Sequence, residues 1–216
     1  MRTLTPLEAR VLGVLVEKQH TVPDTYPLSL NSLAAGCNQK TARSPVIEAS
    51  DAEVLTAVDG LKALSLVFEG SSSRVVKFEH NAGRVLGVPS QSVALLAVLM
   101  LRGPQTSAEL RLNCERLHRF ADISSVEGFL NEMATKEPVR VVKLARASGE
   151  REARWAHLLC GEVVHAGAPG SEPVAAGVSA GELSALKAEQ TRLAAEVDAL
   201  KALVTRMARE LGIDAA

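Results

Sequence analysis

Apolar residues near the start of the chain recur at the spacing of an α-helix, which indicates a first helix with one apolar face. Thr5 and Glu8 have the spacing of a capping box, and Pro6 suits the first helical position. The helix is therefore predicted to begin directly after Thr5. Its apolar positions are Leu7, Val11, Val14 and Leu15.

Two shorter apolar patterns follow, each after a residue that can cap a helix. Ser29 precedes the first of them, and Ser50 with Glu53 forms a second capping box before the other. Residues 66–69 and 74–80 are rich in branched and aromatic side chains, and the Gly-Ser run between them favours a turn. Three helices followed by a hairpin are typical of a winged helix-turn-helix. The residues expected to face inward are Leu30, Leu33, Ala34 and Cys37 in the second helix and Val54, Leu55, Val58 and Leu61 in the third.

The same plan repeats between residues 90 and 159 without evident sequence identity. Ser90 precedes a strongly apolar helix over residues 93–101, which Gly103 and Pro104 end. Capping boxes at residues 106–109 and 124–127 predict two more helices. Residues 139–144 and 153–159 are expected to pair as strands.

The last part of the chain predicts a dimeric coiled coil. Residues 161–180 are rich in Gly, Ala, Ser and Pro, which is typical of a flexible linker. From residue 181 onward apolar residues alternate at spacings of three and four, and this narrow stripe favours two parallel helices. The alternative is a helix that folds back onto its own domains. The predicted dimerisation residues are Leu183, Leu186, Gln190, Leu193, Val197, Leu200, Val204, Met207 and Leu211.

The predicted fold class is mainly α with small β-hairpins (α+β): two tandem winged-helix domains and a C-terminal coiled-coil helix. The first domain covers residues 1–82 and the second residues 83–160. The linker covers residues 161–180 and the coiled-coil helix residues 181–216.

Several motifs are similar to those of the YceH-like family of bacterial proteins. They are LTPLEARV (4–11), TYPLSLN (25–31), CNQK (37–40), RVVKFEH (74–80), LRGPQT (101–106), ELR (109–111) and REARW (151–155). The resemblance covers roughly residues 3–160, and it implies tandem winged-helix domains with a link to DNA and no settled activity. Trp155 departs from the pattern, where a smaller aromatic residue is expected, and this change concerns packing.

Charge is balanced over the whole chain, with 24 basic and 25 acidic residues, so a basic binding surface has to be local. Residues 81–160 hold 11 basic and 8 acidic residues, which makes the second domain the better candidate for contact with double-stranded DNA. The candidate DNA-binding residues are Lys40, Arg43, Arg74, Lys77, Arg111, Arg116, Arg119, Lys143, Arg146, Arg151 and Arg154.

A protein-interaction adaptor is the alternative function. The predicted third helix of the first domain carries Asp51, Glu53 and Asp59, and such an acidic face is repelled by phosphate. The same face suits an unknown protein partner. The two hypotheses stay open on the sequence alone, because the fold does not decide the function.

The sequence points away from enzymes, metal sites and membrane spans. The Glu residues that follow a Ser or Thr at capping-box spacing are explained as helix caps, and no phosphate-binding glycine motif is present. Cys37, Cys114 and Cys160 are odd in number and lack a zinc-type spacing, and the longest apolar run is too short to span a bilayer. We therefore expect a cytoplasmic, non-enzymatic protein with reduced thiols and no metal or cofactor.

Overall fold

The computed structural model describes residues 1–70, 75–146 and 152–163. The chain is mixed α+β, as predicted, and about half of the described residues are helical. The helices are α1 (Pro6–Thr21), α2 (Leu30–Cys37), α3 (Asp51–Ala63), α4 (Ala82–Leu86), α5 (Ser90–Arg102), α6 (Ser107–Asn113) and α7 (Ile123–Thr135). The strands are β1 (Leu28–Ser29), β2 (Val67–Gly70), β3 (Lys77–His80), β4 (Val141–Lys143) and β5 (Trp155–His157).

Each half of the described chain contains an antiparallel hairpin after its helices. In the first half β2 pairs with β3, with Phe68 opposite Glu79, and β1 adds to the free side of β3 to give the order β1-β3-β2. In the second half β4 pairs with β5, with Val142 opposite Ala156. Both hairpins lie where the sequence predicts them. The short strand β1 and the helix α4 were not predicted.

Side-chain caps fix where most of the long helices begin. Thr5 Oγ1 accepts a hydrogen bond from the Glu8 amide at 3.2 Å, and the Glu8 carboxylate accepts one from the Thr5 amide at 2.7 Å. The capping boxes that begin α3 and α6 have the same two bonds, and Ser29 caps α2. These caps confirm the predicted starts of four helices.

The predicted start of α7 was wrong. Asp122, and not Ser124, is the N-cap, because its Oδ1 accepts a hydrogen bond from the Ser125 amide at 2.7 Å. The helix therefore begins at Ile123. Glu127, expected to complete the capping box, instead accepts a hydrogen bond from the Ser107 hydroxyl at 3.1 Å.

Helix α1 is buried on several sides, which corrects the prediction of a single apolar face. Every residue from Glu8 to Val16 is buried. The reason is α5, in which every residue from Ser92 to Leu101 is also buried and which packs against α1. A Cβ placed on Gly13 would lie 3.0 Å from Leu101 Cγ, so the two helices approach closely at this point. The apolar residues of both halves form one continuous core.

Leu55 does not belong to this core, contrary to the prediction. Helix α3 buries Val54, Val58 and Leu61, which follow one another at helical spacing, whereas Leu55 is 40% exposed. A residue next to Val54 in sequence points about 100° away from it around the helix, as the 3.6-residue repeat requires.

The predicted linker and coiled-coil helix lie almost entirely outside the described residues, which end at Val163. All nine predicted dimerisation residues are among those left out. Within the described part of the chain, no helix is long and apolar enough to cross a membrane.

Candidate nucleic-acid interface

In the first half, the structure separates the two basic residues predicted in the turn after α2. Lys40 is exposed. Arg43 lies in the interior with a fully buried side chain, and it donates hydrogen bonds to Glu17 at 2.6 and 3.1 Å and to the Gly36 carbonyl at 3.1 Å. The assignment of Arg43 to a phosphate contact is therefore corrected, because its guanidinium is enclosed and already bound to a carboxylate.

Arg43 belongs to a set of contacts that hold residues 38–50 against α1. Arg10 on α1 donates to the carbonyl of Cys37 at 3.2 Å and to that of Pro45 at 2.6 Å. The Asn38 side chain and the Ala49 backbone exchange two hydrogen bonds of 2.8 Å. Burial by itself raises the pKa of Glu17, but the hydrogen bonds and charge of Arg43 outweigh it and hold this pKa below its ordinary value. Glu17 is thus ionised and holds the loop in place.

The rest of the first half offers little positive charge. The exposed side of α3 carries Asp51, Glu53 and Asp59, and Lys62 forms ion pairs with Glu69 and with Asp59. Lys77 on β3 is partly buried, and Arg74 lies outside the described residues. This half presents an acidic helix.

The second half keeps its arginines near the surface. Arg116 and Arg119, in the segment between α6 and α7, are exposed, and neither forms an ion pair with a residue that the structure describes. Arg111 on α6 donates to the Ala121 carbonyl at 3.1 Å, and its Nε has no hydrogen-bond partner among the described residues. Arg111 and Arg119 line one small cleft together with Glu115.

On the hairpin of the second half, the predicted residues have different surroundings. Arg146 is exposed, and exposed Lys143 holds its Nζ 5.4 Å from the centre of the Trp155 ring. Arg154 donates to the Glu109 carboxylate at 3.0 Å, which ties the hairpin to α6. Arg151 lies outside the described residues. The structure thus brings Arg154 next to α6, where Glu109 neutralises part of its charge.

Trp155 fills the interior of the second half. It is 1% exposed, its indole N–H donates to the Ser107 hydroxyl at 3.2 Å, and its backbone pairs with that of Gln105. The tryptophan thus connects β5 to the segment where α6 begins.

Two buried polar groups are not among the predicted site residues. Arg10 is 4% exposed, and its Nε has no hydrogen-bond partner in the described chain; the same holds for His157 Nδ1. Both residues line one cavity of about 550 Å³. A signal for Arg10 was present, because this cation lies between Leu7 and Val11 on the apolar stripe of α1.

The cysteines are all free, and burial governs their chemistry. Burial raises the pKa of Cys37 to about 11 and that of Cys114 to about 12, so both are neutral thiols at pH 7. Among the residues described by the structure, no group of three His, Cys, Asp or Glu side chains could hold a metal ion.

Comparisons with known proteins extend the picture over the full length of the chain. A family model with the description "Protein of unknown function, DUF480" matches residues 4–150. A UPF0502 protein of Burkholderia multivorans is 71% identical over 218 residues, which span 100% of this chain and 92% of the relative. A UPF0502 protein of Burkholderia pseudomallei is 68% identical over 214 residues, spanning 99% and 92%. A third, from Paraburkholderia xenovorans, is 70% identical over 217 residues, spanning 100% and 91%. The chain therefore belongs to the DUF480 family of uncharacterised bacterial proteins, whose Burkholderia members carry the name UPF0502.

Proposed function

We propose that this chain is a non-enzymatic, cytoplasmic DNA-binding protein with two tandem winged-helix units, and that its second unit carries the DNA-binding surface. The order of elements supports the winged-helix interpretation, because three longer helices precede a hairpin in each half. In the second unit α6 and α7 would form the helix-turn-helix, and β4 and β5 would form the wing.

The observation that carries the proposal is the position of Arg116 and Arg119. They are exposed, without an ion pair to any described residue, in the segment that leads into α7. In a helix-turn-helix this segment lies beside the helix that enters the major groove, so cations there can meet backbone phosphates. Exposed Arg146 on the hairpin would add a contact on the other side.

The exposed side of α7 suits a groove better than that of α3 does. It carries Ser124, Gly128 and Asn131, which are small or uncharged and allow a close approach to base edges, and Glu132 is its one exposed carboxylate. Helix α3 presents several carboxylates instead, which phosphates repel. The first unit would therefore contribute less to DNA binding, and Lys40 is its exposed candidate for a phosphate contact.

The test is fluorescence anisotropy of full-length protein with a random-sequence DNA duplex, at low and at physiological salt. We expect binding that weakens steeply with salt, and a reduction of about tenfold or more in affinity at low salt when Arg116 and Arg119 are both changed to Glu. Removal of each phosphate-binding cation should also lower the salt slope by about one.

The matched control is the double variant Arg84→Glu, Lys136→Glu, which changes the net charge equally at two other exposed positions. It should bind within about twofold of the wild type, because general repulsion is screened over about one Debye length. If both double variants lose DNA affinity equally, the loss is explained by net charge and not by a contact of Arg116 and Arg119. No binding at low salt would end the DNA proposal.

We further propose that the C-terminal helix dimerises the protein, which would raise the effective concentration of each DNA-binding unit. Light scattering on the full chain should give a dimer mass, and Leu200→Glu should give a monomer, because a charge then enters the heptad seam. Ala195→Glu, at an outward heptad position, should leave the dimer intact. A monomeric wild type would favour a helix that folds back onto the chain.

The second candidate function is a protein-interaction adaptor, and the surface of the first half favours it. Phe68 is 47% and Val76 is 45% exposed on the β2–β3 hairpin, and β2 packs against α3, whose exposed residues include Asp51, Glu53 and Asp59. An apolar hairpin beside carboxylates suits a basic protein partner. If substitution of Asp51, Glu53 and Asp59 leaves every partner in a pull-down, this candidate fails.

A further inference from the structure

One cavity lies where elements of both halves meet. It holds about 550 Å³, within the range of small-molecule sites. Its walls come from α1, the loop at residues 44–49, the C-terminal end of α5 and strand β5. The cavity is independent of the surface proposed for DNA, because none of the candidate DNA-binding residues lines it.

Arg10 places a buried positive charge at this cavity. Its two terminal nitrogens donate only to neutral carbonyl groups, and it forms no ion pair with a described residue. The nearby charge of Arg43 adds to the effect of burial in lowering the pKa of Arg10. Among the described residues, the carboxylate that pairs with either of these two arginines is Glu17, which is bound to Arg43. A buried cation without an anion is costly, and an anionic ligand would offset that cost.

His157 supplies a second polar group in the same cavity. Its Nδ1 is buried and has no hydrogen-bond partner within the described residues. Burial lowers the pKa of His157 to about 4, so the ring is neutral at pH 7 and adds no charge at the cavity.

The remaining walls are mainly apolar, with Leu7, Ile47, Leu99 and Met100 among them. Such a lining favours an apolar ligand body in addition to a charged group. Glu48, Glu53 and Glu162 also line the cavity, and all three are exposed. These carboxylates repel negative charge, which disfavours ligands with more than one, such as phosphate esters and dicarboxylates.

We propose that this cavity binds a small organic monocarboxylate with an apolar body. The carboxylate pairs with the Arg10 guanidinium, while the apolar body lies against Ile47 and Met100. An inorganic anion would leave most of the volume and the apolar walls unused. A neutral apolar compound would not pair with the Arg10 charge.

Binding is tested by NMR on full-length protein with ¹³C-labelled methionine methyl groups. Met100 lines the cavity, whereas Met133 lies elsewhere in the core and serves as an internal reference. Titration with 4-phenylbutanoate should shift the Met100 signal and leave Met133 in place, with a dissociation constant on the order of 1 mM or lower. Octanoate, tested in parallel, distinguishes an alkyl from an aromatic body.

The charge of the ligand is tested with 4-phenylbutanamide, which has nearly the same size and shape. It should bind about tenfold or more weakly, because a hydrogen bond to a charged group contributes more than a neutral one. Equal binding of acid and amide would overturn the recognition of an anion. No Met100 shift with either acid would overturn the site itself.

Two variants complete the test. Ile47→Trp fills the cavity from a loop residue that is partly exposed, so the fold should tolerate it, and it should weaken binding of 4-phenylbutanoate by about tenfold or more. Arg10→Met should remove the preference for acid over amide. If Arg10→Met does not fold, the acid and amide comparison and Ile47→Trp still decide the question. Unchanged binding in Ile47→Trp would contradict the proposed location.

Discussion

The segment between α2 and α3 and the segment between α6 and α7 have the same place in their two halves, but they use arginine in opposite ways. Residues 38–50 fold back onto α1, and Arg43 becomes an internal link to Glu17. Residues 114–122 form a shorter connection that leaves Arg116 and Arg119 on the surface. The number of arginines in a segment therefore says little about its use. The path of the backbone decides whether the cation stabilises the fold or faces a partner.

The largest expected effect is on stability, and it distinguishes the enclosed Arg43–Glu17 ion pair from the more exposed Arg154–Glu109 pair. Arg43→Met should lower the free energy of unfolding by about 3 kcal/mol, because it leaves Glu17, whose side chain is 15% exposed, with Lys18 at 3.3 Å as its remaining partner among the described residues. Arg154→Met breaks a pair whose side chains are 35% and 44% exposed, and it should cost less than about 1 kcal/mol. Urea unfolding of both variants measures the two values.

The double variant Glu17→Leu, Arg43→Met refines this test. It removes both buried charges, so it should recover part of the stability that Arg43→Met alone removes. Similar destabilisation in Arg43→Met and Arg154→Met would contradict the contrast between the two segments.

A smaller effect concerns how tightly helices pack in the two halves. Gly36 on α2 faces α1, and an added Cβ would lie 2.6 Å from Val14 Cγ1, so Gly36→Ala should cost about 1–3 kcal/mol. Gly128 lies exposed inside α7 with no atom within 4 Å of an added Cβ. Gly128→Ala should therefore stabilise the protein by about 0.5–1 kcal/mol. Melting temperatures that move in the same direction for both would refute this difference.

The smallest effect at neutral pH comes from one histidine in each hairpin, where the two halves are alike. Burial lowers the pKa of His80 and of His157 to about 4, against an ordinary value of 6.5. The unfolded chain binds protons first as the pH falls, so both groups should reduce stability between pH 7 and about 4. At pH 7 both states are mostly neutral, and the contribution is small there.

The measurement is urea unfolding at pH 7 and pH 5. His80→Gln and His157→Gln should each reduce the decrease in stability on acidification, and the double variant should reduce it most. An unchanged pH dependence in the double variant would show that these rings are protonated alike in both states.

Local signals are enough to predict most of the fold. Helix periodicity and capping residues lie within a few positions of one another, so the sequence directly indicates the starts of α1, α2, α3 and α6. Asp122 is harder to predict as the N-cap of α7, because Ser124 and Glu127 have the spacing of a capping box two residues later. Strand β1 and the second buried side of α1 depend on β3 and α5, which are distant in sequence, and no local pattern reports such contacts.

The candidate site is harder to predict for the same reason. The distribution of basic residues along the sequence predicts Arg116 and Arg119 as surface cations, and both are exposed. Arg43 is not, because its burial requires Glu17 on another helix. The cavity cannot be predicted from local sequence patterns. Arg10 and His157 belong to opposite ends of the described chain and line the same cavity only in the folded molecule.

The packing of α1 against α5 also has a consequence during synthesis. Helix α1 leaves the ribosome before α5, which covers one side of it and is complete only about eighty residues after the end of α1. The Leu4 amide donates to the Leu159 carbonyl at 2.7 Å, so the N-terminus finds its last partner later still. At about 5–20 residues per second, the nascent chain exposes an apolar helix for several seconds. During that interval a chaperone that binds apolar segments has its best opportunity to act on this protein.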